Sequence, residues 1–161
     1  MKKLHTALMV VTGLAVAPNA FAATPAAFAD SVFIGRNVIT GASSACATTP
    51  LAVTQTGSTS SIVYKPQGPG QAGPDSLAIF DDDRAMYIEP NTGGSLNGSG
   101  LYKAVKIAAG AKVISFVAGY KISLAQSSPA VIYLTGTISN YWDVSGCTIT
   151  FEAALGHKPN D

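Results

Sequence analysis

The sequence predicts an all-β domain, an antiparallel β-sandwich of immunoglobulin-like or jelly-roll form, behind a cleaved secretory signal peptide. Three observations predict it. Runs rich in β-branched and aromatic residues alternate with period two. Gly, Pro, Asn, Asp and Ser interrupt them every ~8–12 residues, the spacing of sandwiches and barrels. Beyond the N-terminal apolar run, no internal repeat or coiled-coil heptad competes with that reading.

Residues 1–22 carry an export signal. Lys2 and Lys3 form a basic start, Ala7–Ala17 is an apolar run too short to span a bilayer as a helix, and Ala20-Phe21-Ala22 is an A-x-A cleavage sequence after Pro18. Cleavage after Ala22 leaves residues 23–161 as a single disulfide-bonded domain, secreted or periplasmic. That mature chain holds eight basic and nine acidic residues, since Lys2 and Lys3 depart with the signal. A near-neutral chain has no electrostatic reason to bind nucleic acid or anionic lipid. No second apolar run reaches spanning length, so no membrane span is expected after cleavage.

Residues 23–31 are an Ala-rich entry, and Val32–Thr40 is a first strand with Gly35 as a point of close approach. Gly41–Pro50 is a small, polar loop holding Cys46. Leu51–Gln55 and Ser61–Lys65 are short strands, and Pro66–Pro74 is a surface loop. Ser76–Phe80 and Arg84–Glu89 form a hairpin tipped by Asp81-Asp82-Asp83. Pro90–Gly100 is a second glycine loop. Leu101–Ile107 and Lys112–Ala118 form a hairpin, Gly119 turns a corner into Tyr120–Leu124, and Gln126–Pro129 is a break. Ala130–Leu155 closes the chain with two strands around a loop. Cys147, Ile149, Phe151, Ala153 and Leu155 share one face of the last strand, and Thr148, Thr150 and Glu152 the other.

Export and an even count predict a Cys46–Cys147 disulfide. It would close a loop of about 100 residues, worth ~4.7 kcal/mol in the chain-entropy picture.

Catalytic constellations are sparse. After signal cleavage the one histidine is His157, expected on a polar tail and not as a catalytic base; no G-x-S-x-G elbow is present. Glu89 and Glu152 could in principle pair as glycosidase carboxylates, but their spacing selects nothing. Asp81, Asp82 and Asp83 are weak candidates for a hard cation, because consecutive side chains splay apart. The loop Gly94–Gly100 lacks a phosphate-cradle ending. No cofactor is implied.

The aromatics carry more. Tyr64, Tyr87, Tyr102, Tyr120 and Tyr133 fall on strands, while Tyr141-Trp142 fall on the last loop beside Asp143. An exposed Tyr-Trp pair offers flat apolar surface to a sugar or protein, so Tyr141, Trp142 and Asp143 are the candidate binding residues. Together these features predict a non-enzymatic structural, adhesive or assembly module of the envelope or extracellular space. It would act by self-association or on another exported protein. The alternative is a small-ligand or carbohydrate-binding domain whose partner is a glycan.

Overall fold

Each strand pairs antiparallel with its neighbour in sequence, and the last pairs with the first. The computed structural model describes residues 32–48, 54–66, 74–82, 84–91, 93–107, 113–128 and 130–158. The expected signal peptide, the entry segment, most of the expected strand Leu51–Gln55, most of Pro66–Pro74, Asp83 and the expected turn at 108–111 lie outside the described residues. The strands are β1 (Val32–Ala42), β2 (Thr59–Lys65), β3 (Ser76–Asp81), β4 (Arg84–Pro90), β5 (Gly98–Ile107), β6 (Val113–Ser128), β7 (Val131–Ser139) and β8 (Thr148–Lys158).

This is a closed eight-stranded barrel, which corrects the expected sandwich. The physical reason is the seam. Val32–Ala42 runs antiparallel to Ile149–Lys158, so neither end strand is left as an edge. Alternation and turn spacing are common to both architectures and do not encode which strands meet across the chain. Two further expectations change with it. Gly119 turns no corner: its N–H donates to the Ser139 hydroxyl at 2.8 Å, and that hydroxyl donates back to the Gly119 carbonyl at 3.1 Å, inside a continuous β6. His157 is no tail residue. It lies on β8, half-buried, with its ring centroid 5.5 Å from that of Phe33 and its backbone N–H donating to the Ala130 carbonyl.

Eight strands enclose a space that side chains can fill. Here Phe33, Ile39, Ile62, Leu77, Ile79, Met86, Ile88, Ile138, Ile149 and Phe151 fill it, each at most 1 % exposed. As the alternation predicts, Cys147, Ile149, Phe151, Ala153 and Leu155 all face this core. The outward faces carry Arg36, Lys65, Glu89, Lys103, Lys121 and Glu152, all exposed, beside the exposed Ile34, Val38, Tyr87, Leu101, Val117 and Tyr133. No helix among the described residues is long and apolar enough to cross a membrane.

Both mouths are stoppered. At the lower end Leu96, 2 % exposed, is drawn in because its N–H donates to Asp75 Oδ2 at 2.8 Å, and the Tyr64 hydroxyl donates to the same oxygen at 2.8 Å. The gap left beside Leu96, Tyr64, Leu77 and Leu134 is too narrow for a water molecule. At the upper end the 3-10 turn Tyr141–Asp143 folds inward, beside a second 3-10 turn, Ser44–Thr48. The Cys46–Cys147 disulfide joins these two turns' borders, as expected, across a sequence separation of 101.

Gly136 faces inward on β7 where the wall is pinched. A Cβ there would run into the Lys121 carbonyl oxygen and the Ile122 Cα, both backbone atoms that cannot swing aside. Gly136→Ala is therefore expected to destabilise the barrel by about 1–3 kcal/mol, the cost of overpacking, measured by urea denaturation. An unchanged midpoint would show that the pinch relaxes.

Candidate functional site

The sequence points to the last loop, and the structure turns that loop inside. Tyr141 and Trp142 are both 0 % exposed, which corrects the expectation of a surface pair. The cause is local backbone. Asn140, Trp142 and Asp143 take φ of 50°, 55° and 62°, so the chain curls back and drops both rings into the barrel mouth. Such values are uncommon outside glycine, and strained for a bulky residue such as Trp. The rings meet edge to face with centroids 6.1 Å apart. Lys106 reaches over them: its Nζ donates to the Trp142 carbonyl at 3.0 Å and lies 3.8 Å from Asp143 Oδ2. Asp143 alone of the three remains exposed.

Beneath this plug sits a polar cluster that sequence reasoning missed. Asn37 and Ser60 occupy inward positions paired across β1 and β2 and are almost fully buried. With Trp142 they flank the Tyr141 hydroxyl. No pair among Asn37, Ser60, Tyr141 and Trp142 Nε1 reaches hydrogen-bond geometry. Their only sequence signal is polar residues at core-phase positions of strands. Burial pushes the Tyr141 pKa up, more strongly than these neighbours pull it down. Burial likewise raises that of Tyr102, helped by Tyr141 and Asp143, although the Tyr102 hydroxyl donates to the Ser139 carbonyl at 2.7 Å.

A raised tyrosine pKa has a definite consequence. Below pH 10, the ordinary value, both folded and unfolded chains keep the proton, and the stabilisation of the neutral form is fully present. Above it the unfolded chain ionises while folded Tyr102 and Tyr141 do not, so stability falls with rising pH. Tyrosinate absorbance is expected to show these two rings silent until the barrel unfolds in alkali. Their titration in the intact barrel near pH 10 would contradict the burial.

The outer wall is organised differently. A groove of ≈ 640 Å³ lies over β6, β7 and β8, bordered by the Asn97–Ser99 stretch. Lys121, Thr137 and Thr150 sit side by side across the three strands, and Ser123, Thr135 and Glu152 form the next row. None of these six side chains makes a hydrogen bond or ion pair with a described residue. Gly136, between the rows, also borders the groove. Elsewhere hydroxyls are committed: Ser43 donates to the Gly146 carbonyl and Thr54 to the Cys46 carbonyl, both at 3.1 Å.

The other candidates stay apart. Glu89 on β4 and Glu152 on β8 face outward from opposite sides of the barrel, so they cannot flank one scissile bond. Asp81 and Asp82 end the β3–β4 hairpin, and Asp83 lies outside the described residues; among the described residues no cluster of three potential ligands forms.

Compared with protein-family models, with curated proteins and with solved structures, the chain matches none of them.

Proposed function

We propose that this chain is an exported, non-enzymatic module that recognises its partner with the outside of its barrel. One observation carries the reading: the interior is filled and stoppered at both mouths, while the β6–β8 wall holds a large groove whose polar side chains are uncommitted. A barrel that carried its ligand inside would need space there. Lys2-Lys3 and the A-x-A sequence support export to the periplasm or beyond. The separated carboxylates support a role without catalysis, as does Asp75, whose carboxylate is spent on holding Leu96 and Tyr64.

A structural or assembly role is the second reading, and a different wall favours it. Ile34, Val63, Ala78, Tyr87 and Val105 stand directly opposite one another from β1 to β5. Ile34 and Tyr87 are 43 % and 42 % exposed, an apolar band of the kind that marks association.

Glycan and peptide arrays probed with the exported protein separate these readings, with the ligand's mass followed after contact. Retention with unchanged mass on a monomer supports recognition by the groove wall. Turnover contradicts the non-enzymatic role. Concentration-dependent oligomers that Tyr87→Lys disperses support assembly through the apolar band.

A further inference from the structure

We infer that the β6–β8 wall binds a neutral oligosaccharide lying along β7, an inference that rests on the outer-wall reading above. The groove's two polar rows continue into a third at the next outward position. There Tyr133 stands between Ala125 on β6 and Ala154 on β8. Tyr133 is 45 % exposed, and both of its cross-strand neighbours are alanine, too short to cover its ring. An aromatic ring with an apolar face and a polar tip suits the carbon-bound face of a pyranose.

The rows beyond it suit the hydroxyls. Successive outward residues on a strand are ~6.7 Å apart and adjacent strands ~4.8 Å apart. A chain of sugar units started on Tyr133 therefore passes Thr135 and then Thr137. Hydroxyls on both sides can donate and accept, a carboxylate only accepts, and an ammonium only donates. Glu152 and Ser123 flank Thr135, while Lys121 and Thr150 flank Thr137. Each segment of a polyhydroxylated ligand thus meets both kinds of group.

Charge selects a neutral ligand. Lys121 and Glu152 lie diagonally across β7 and cancel, so a polyanion meets Glu152 and a polycation meets Lys121. An extended peptide adding to the sheet needs an unpaired edge, and β7 is paired on both sides along its length.

The test is calorimetric titration of the exported protein with cellohexaose, maltohexaose and mannohexaose, beside the polyanion hexagalacturonate. At least one neutral hexaose is expected to bind. Tyr133→Ala should weaken it at least about tenfold, the scale of a truncated interface anchor, and Tyr133→Phe should restore it. Lys103→Ala on β5, outside the groove lining, should leave it unchanged. An unaltered melting temperature of Tyr133→Ala shows that the variant is folded. Failure of all three neutral sugars at millimolar concentration overturns the inference, and so does binding indifferent to Tyr133→Ala. Preference for hexagalacturonate, lost in Lys121→Ala, overturns the neutral ligand but leaves recognition by the outer wall standing. Binding insensitive to every groove variant overturns both.

Discussion

Trp142→Ala is expected to lower the unfolding free energy by about 3–5 kcal/mol, the cost of removing a fully buried large aromatic. The indole is 0 % exposed and shares the upper mouth with Tyr141, so its loss leaves a cavity that the rigid barrel rim cannot collapse. Asn37 and Ser60 beneath would then lie open to the cavity. Trp142→Phe should cost less, because part of the plug remains. Urea denaturation measures both. Before unfolding, acrylamide should barely quench the wild-type fluorescence, which comes from this single Trp. A loss under about 1 kcal/mol, the scale of most surface substitutions, together with ready quenching, would mean that the rings do not close the barrel.

The disulfide carries the second large effect. Cys46→Ala with Cys147→Ala should cost about 2–5 kcal/mol, the range for native bridges in exported domains. The bridge closes a separation of 101 residues and ties the Ser44–Thr48 turn to the start of β8. It is not alone there: the Ser43 hydroxyl donates to the Gly146 carbonyl at 3.1 Å and accepts from the Thr148 N–H at 3.0 Å. These bonds should hold the strand ends in register, so the double variant is expected to fold with a lower melting temperature and an unchanged circular dichroism spectrum. A melting temperature equal to wild type under oxidising conditions would show that loop closure contributes nothing.

Local chemistry in the sequence was enough to place the β3–β4 and β5–β6 hairpins. It was not enough for the expected strand Leu51–Gln55, whose described residues Thr54 and Gln55 form no strand, so that β2 pairs with β1 instead. Asp81-Asp82 at the β3–β4 tip and the alternating Leu101–Ile107 lie where period and turn residues put them. The inward face of β8 was also legible, because Cys147, Ile149, Phe151, Ala153 and Leu155 are apolar in strict alternation. Closure was not. Whether β1 meets β8 depends on twist and coil accumulated over every strand, and no single run of residues states it. The Tyr141-Trp142 loop failed for a different reason. Its inward turn rests on positive φ at Trp142, a bulky residue whose preference argues the other way. His157 was misplaced because Gly156 and Pro159 suggest a frayed end, whereas pairing with Phe33 extends β8 to Lys158.

The groove was half legible. Thr135, Thr137, Thr150 and Glu152 are visibly the polar phase of β7 and β8, but that they stand beside Lys121 follows only from the β6–β7 register. Tyr133 looked like the other strand tyrosines. Tyr64, Tyr102 and Tyr120 face the core, and Tyr87 and Tyr133 face out. Only strand phase relative to the closed barrel separates the two groups.

The central claim is that recognition belongs to the outer wall and not to the interior. A methyl chemical-shift map of the protein, titrated with the ligand retained on the arrays, tests it most directly, because threonine methyls report the wall and isoleucine methyls the core. The account predicts shifts at Thr135, Thr137 and Thr150 with Ile62, Ile79 and Ile149 unmoved. Shifts at those three isoleucines with the threonines still would contradict it.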